Sequence, residues 1–168
     1  MRRWMLAGAG VLAAACRVGG DAPRQGGNTM LSAAKRFLAT LDDPARSKAL
    51  LPFASEERFN WHFVPKERAG LPYKQMTDAQ QRAARDLLRA SLSQPGFEKV
   101  STIRRLEDTL REIEKGAGPI RDTELFYFTV FGEPSERGPW AWRYEGHHVS
   151  LHWTMIDGRV IASTPQFL

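Results

Sequence analysis

The stretch from Trp140 to Ile156 constrains the fold of this chain more than any other. Trp140, Trp142 and Tyr144 are apolar at even positions, whereas Val149, Leu151, Trp153 and Met155 are apolar at odd positions. Successive side chains of a strand point to opposite faces, so one straight strand cannot bury both sets on the same side. The phase reverses around Gly146. The stretch reads as one long strand or a bent pair, and the most economical account is a one-residue β-bulge at Gly146-His147. With that bulge, Arg143, Glu145, His148, Ser150 and His152 share the polar face and His147 is re-aimed. Asp157-Gly158 then predicts a hairpin into a further strand over residues 159–163.

Upstream, the pattern changes from strand to helix. Asn28 or Thr29 is expected to cap a helix to about Leu41, with Met30, Ala34, Phe37, Leu38 and Leu41 on one face. Asp43-Pro44 opens a short second helix to about Leu50. Residues 59–64 alternate as a strand, with Phe59, Trp61 and Phe63 on one side and Asn60 and His62 on the other. Thr77-Asp78-Ala79-Gln80 is a capping-box pattern that starts a helix to about Leu92. After a break at Gln94-Pro95-Gly96, a longer helix is expected over residues 97–115. Val100, Ile103, Leu106, Leu110 and Ile113 would form its buried stripe, with the charged face solvated. Residues 125–132 form another strand. Helices first and a meander afterwards predict an α+β fold, with the N-terminal helices packed on one face of an antiparallel sheet.

At 168 residues and 42% hydrophobic content the chain suits one domain with a real core. Residues 1–15 read as a signal segment: Arg2-Arg3 lead an apolar run too short to span a bilayer. The run closes on Leu12-Ala13-Ala14-Ala15-Cys16, a lipoprotein-like pattern in which Cys16 would be lipidated. Ordinary cleavage after Ala15 is the rival reading, and the start also loosely resembles a twin-arginine signal. Residues 16–28 would be a flexible tether and residues 29–168 the domain. The protein is therefore expected to be exported to the periplasm or cell envelope, meeting the membrane through a lipid anchor only. Cys16 is the single cysteine, which leaves the domain no disulfide and no catalytic thiol. The formal charge of +5 falls to about +3 without Arg2 and Arg3, and its even spread argues against nucleic-acid binding.

Three of the four histidines fall between Gly146 and Trp153. Imidazoles serve as metal ligands, proton carriers or hydrogen-bond anchors. His148 and His152 stand roughly 13 Å apart along a regular strand, too far for one ion. A metal set would instead join His147 and His148 with His62, and would suit zinc, iron or copper. Glu145 and His148 are the candidate proton-transfer groups, and Arg143 the candidate clamp for an anionic substrate group. That arrangement predicts a histidine-lined polar pocket and a metal-assisted hydrolase or oxidoreductase. The alternative is a non-catalytic envelope module that binds a small molecule or a partner protein. Histidines in aromatic strands also commonly serve only to hydrogen-bond the backbone. Trp61, Trp140, Trp142 and Trp153 fall on the apolar side of their strands and are expected in the core. No serine elbow, phosphate loop or dinucleotide fingerprint is present.

Several ordered motifs carry a resemblance. Asn60-Trp61-His62-Phe63-Val64-Pro65, Gly70-Leu71-Pro72, Phe131-Gly132-Glu133-Pro134, the run from Trp140 to Leu151 and Ser163-Thr164-Pro165 resemble the bacterial "domain of unknown function 3500" family. The resemblance covers residues 29–168. It implies no activity, since the family has none assigned. Family members usually carry asparagine where this chain has His152. They also run on past the Ser-Thr-Pro motif, which implies that this chain corresponds to the N-terminal half of a longer protein.

Overall fold

The computed structural model describes residues 22–168, with side chains from Thr29 onward. The expected signal segment and Cys16 lie outside these residues. Helix α1 spans Ala22–Ala39 and α2 spans Asp43–Ala49. Helix α3 is Asp78–Ser91 and α4 is Gln94–Glu114. Strands β1 (Leu50–Leu51), β2 (Leu71–Pro72), β3 (Tyr127–Phe131), β4 (Pro139–Gly146), β5 (Val149–Ile156) and β6 (Arg159–Phe167) form one sheet in the order β1-β3-β4-β5-β6. Strands β1 and β2 share the outer edge of β3, β1 parallel to it and β2 antiparallel. All other pairings are antiparallel, so the fold is α+β with a C-terminal meander. Among the described residues no helix is long and apolar enough to cross a membrane.

The core lies between the helices and one face of the sheet. Met30, Ala34, Phe37 and Leu38 of α1 and Leu87 and Leu88 of α3 are buried against Phe128, Trp142, Tyr144 and Trp153. Trp142 and Trp153 stand directly opposite in the β4–β5 register and stack at 4.4 Å. Such cross-strand aromatic pairs hold a register, because a one-residue slip would send both rings to the wrong face. The Thr77 hydroxyl and the Gln80 side chain cap α3 reciprocally, as the capping box predicts.

Four sequence expectations need correction. There is no β-bulge at Gly146. β4 ends there, His147 and His148 form a two-residue turn with His148 at φ 58°, and Gly146 pairs with Val149. A hairpin reverses the chain and so accounts for the phase reversal without an extra residue. The real register irregularity lies between Thr154 and Met155, where Ile161 of β6 is left over. Second, residues 59–64 are not a strand. They follow a short 3-10 turn at Glu56–Phe59 and run as an irregular strap with Phe59, Trp61 and Phe63 exposed. Third, α1 begins at Ala22 and runs through Gly26-Gly27, so part of the expected tether is helical. Extending a nucleated helix is cheap enough to absorb two glycines.

Fourth, α4 starts at Gln94, with Ser93 as N-cap and Pro95 in the first turn, where proline lacks nothing the helix needs. Its buried positions are Val100 and Glu107, while Leu106 and Ile113 are exposed. Of the expected stripe Val100 is buried and Ile103 packs against the core, while Glu107 faces the β4–β5 turn and pairs there with His147.

Candidate functional site

The sheet face opposite the helices carries Thr129, Arg143, Glu145, Ser150, His152 and Thr164, placed together by strand alternation and register. The strap of residues 53–70 crosses this face and is fastened by two buried arginines. Arg143 is 1% exposed. Its Nη1 donates to the carbonyls of Glu57 at 2.7 Å and Asn60 at 3.2 Å, and its Nη2 donates to Glu57 Oε1 at 2.7 Å. Arg68 donates to the carbonyls of His62, Val64, Lys66 and Gly146. Glu145 joins the two: Arg68 Nε is 3.1 Å from one carboxylate oxygen, and Arg143 Nε is 3.8 Å from the other. The His62 backbone N–H also donates to Glu145 at 3.3 Å. Burial raises the Glu145 carboxyl above the usual carboxylate range, against the opposing pull of Arg143 and Arg68.

This network is turned toward the strap. Arg143 makes its three hydrogen bonds to the strap, and neither Arg143 nor Glu145 lines the open groove beside them. The expected anion clamp and base are therefore strap fasteners.

The histidines do not share one cavity. His62 Nε2 lies 3.0 Å from Asn60 Oδ1, at a shallow cavity it shares with Glu57 and Arg68. His147 borders a different, narrow cleft with Pro65, Glu107 and Phe126. Its Nδ1 meets the buried Glu107 carboxylate at 2.5 Å, and the Arg121 guanidinium lies against the same ring at 3.2 Å while pairing with Glu114. His148 packs on His147 with ring centroids 3.9 Å apart. Its backbone clamps two segments, donating N–H to Phe63 and accepting from Leu168, both at 3.0 Å. Burial, then His147, lowers the His148 pKa. Among the described residues no group of three or more His, Cys, Asp or Glu side chains is arranged to hold a metal ion, so His62, His147 and His148 do not form the expected ligand set.

What the strap leaves uncovered is a groove of about 450 Å³ over β5 and β6. Its floor is mostly polar: Ser150, His152, Thr154, Thr164 and Gln166, with Ala162 the one apolar side chain, all at alternate positions of the two strands. Its wall is Trp61, Phe59 and Arg58 from the strap. Trp61 is 40% and Phe59 67% exposed, so the one tryptophan outside the core among these four stands beside hydroxyl and amide groups. The Arg58 guanidinium stacks over Phe53 at 4.0 Å and Phe59 at 5.1 Å, which stiffens the wall. Sequence alternation marks the floor. The wall had no local signal, because a strap read as a strand was expected to bury its aromatics. Glu107, Arg68 and Arg121 were likewise missed as partners, since nothing local tells a buried charge from a solvated one.

His152 lies at the base of the groove against Phe131, and its buried Nε2 has no partner. Burial, then the charges of Arg143 and Arg58, pushes its pKa down to about 4. The unfolded chain takes up this proton near pH 6.5 and the folded chain resists it until about 4. Stability present above pH 6.5 is therefore lost as the pH falls through that window, by up to about 3 kcal/mol. Urea unfolding midpoints of His152→Asn should fall less between pH 6.5 and 4 than those of the parent. Parallel curves would mean that His152 titrates normally.

No curated protein and no solved structure matches the chain. A family profile does match, over residues 24–168, which takes in the sheet, the strap and both sides of the groove. The profile is described as protein of unknown function, DUF3500, and by that match this chain belongs to that family.

Proposed function

We propose that this domain is a non-catalytic binding module of an exported protein, and that it holds a small hydroxyl-rich ligand with one flat face, such as a sugar ring, in the β5–β6 groove. One observation carries this reading: an exposed aromatic wall faces a floor on which five of the six strand side chains are polar. Hydroxyls and amides on the floor supply orienting hydrogen bonds, and Trp61 supplies a stacking surface. Export rests on the charged start, the apolar run and Cys16 of the sequence. The metal-assisted enzyme is the weaker reading, because its three histidines serve separate structural contacts.

Calorimetric titration with a panel of mono- and disaccharides tests the proposal. At least one should bind with 1:1 stoichiometry, and Trp61→Ala should weaken it by about tenfold or more at unchanged thermal stability. Failure of every sugar, or binding indifferent to Trp61, would overturn the proposal. Stoichiometric zinc, iron or copper in protein purified from its native compartment would favour the enzyme instead.

A further inference from the structure

A second cavity, lined by residues 65–70 of the strap, has no part in the reading above. It measures about 700 Å³, is open on one side and is bordered by α2, the strap, the turn after β2 and the approach to β3. That is within the range of about 300–1,000 Å³ typical of small-molecule sites. Its surface divides by chemistry. Leu51, Pro72, Leu125 and the ring of Tyr127 make an apolar interior. Lysines 48, 66 and 74 stand exposed around it, with Glu67 as the only acidic residue of the lining.

The charges do not cancel. Lys74 is neutralised by Asp122 at 2.7 Å. Lys48 is held at 2.7 Å by Gln75 Oε1, a neutral acceptor that fixes the ammonium in place without discharging it. Among the described residues neither Lys48 nor Lys66 has a carboxylate within ion-pair distance. Arg68 contributes only stem, since its guanidinium is spent on Glu145 and the strap carbonyls. Two free ammonium groups against Glu67 leave about one net positive charge beside an apolar chamber, which suits a monoanionic head on an apolar body.

We propose that this cavity binds a small amphipathic carboxylate, such as a short fatty acid, with its apolar body on Leu51, Pro72, Leu125 and Tyr127 and its head at Lys48 and Lys66. Sodium octanoate is the probe and 1-octanol its uncharged counterpart, both titrated calorimetrically into the folded chain. Octanoate should bind once per chain and about tenfold or more tighter than octanol. Lys48→Gln/Lys66→Gln removes two exposed charges and should bring octanoate to the octanol level at unchanged melting temperature. Leu51→Trp should block both probes by filling the chamber. Trp61→Ala, outside this cavity, should leave octanoate binding as it is. No octanoate binding, equal affinity for octanol, undiminished binding by the double lysine variant, or loss in Trp61→Ala would each overturn the proposal.

Discussion

Arg143→Met is expected to lower the unfolding free energy by about 3–5 kcal/mol. The guanidinium is buried and makes three hydrogen bonds to the strap, two of them to backbone carbonyls that would lose this partner. Its removal leaves Glu145, 1% exposed, with Arg68 as its remaining cation. Breaking one half of a buried pair costs far more than the intact pair contributes, because the survivor stays desolvated. Arg143→Lys should recover only part of the loss, since an ammonium cannot reach two carbonyls and a carboxylate as a planar fork does. Urea unfolding of the parent, both variants and Glu145→Gln gives the coupling directly. A loss below about 1 kcal/mol for Arg143→Met would place the network among exposed ion pairs and remove it as the fastener of the strap. The strap carries Trp61 and also lines the carboxylate cavity, so both proposed sites depend on this anchor.

Gly146→Val should cost about 1–3 kcal/mol, at the upper end of that range, by overpacking. A β-carbon at residue 146 would lie 2.2 Å, 2.4 Å and 2.7 Å from three carbons of the Phe126 ring. That ring is 1% exposed and stacks on Tyr144, so it has nowhere to retreat. The glycine is required for close approach, and not for a left-handed backbone at a bulge. The positive φ of the turn belongs to His148. The two explanations separate in a second variant. Trimming the ring with Phe126→Ala should make Gly146→Val nearly neutral in that background, whereas a backbone requirement would leave the cost of Gly146→Val unchanged there.

Much of the architecture was legible because it rests on local rules. The Thr77 capping box, the Asp43-Pro44 helix start and the Asp157-Gly158 hairpin are contained within a few residues each, and all are present, with the cap of the second helix one residue earlier than expected, at Asp42. Alternation correctly sent Trp140, Trp142 and Trp153 to the core and Arg143, Glu145, Ser150 and His152 to the other face. The same alternation misled at residues 59–64, where period two also fits an extended strap that joins no strand ladder. It misled again at Gly146, where a bulge and a tight turn produce the same change of parity. A hairpin can be told from a bulge only by whether the two halves face each other.

The division between sequence and tertiary structure follows from range. Helix caps, turn residues and the period of apolar positions act over a handful of bonds, and they were sufficient for an α+β chain with a two-faced meander. The partners of buried charges act across the fold: Arg143 finds Glu57 86 residues away, and His147 finds Glu107 40 residues away. A charge pairs inside only where a distant segment brings a counter-charge, and no local pattern announces which segment that will be. The same holds for open space. The groove and the cavity exist because the strap covers part of the sheet and leaves the rest bare, and that follows from where its arginine anchors land.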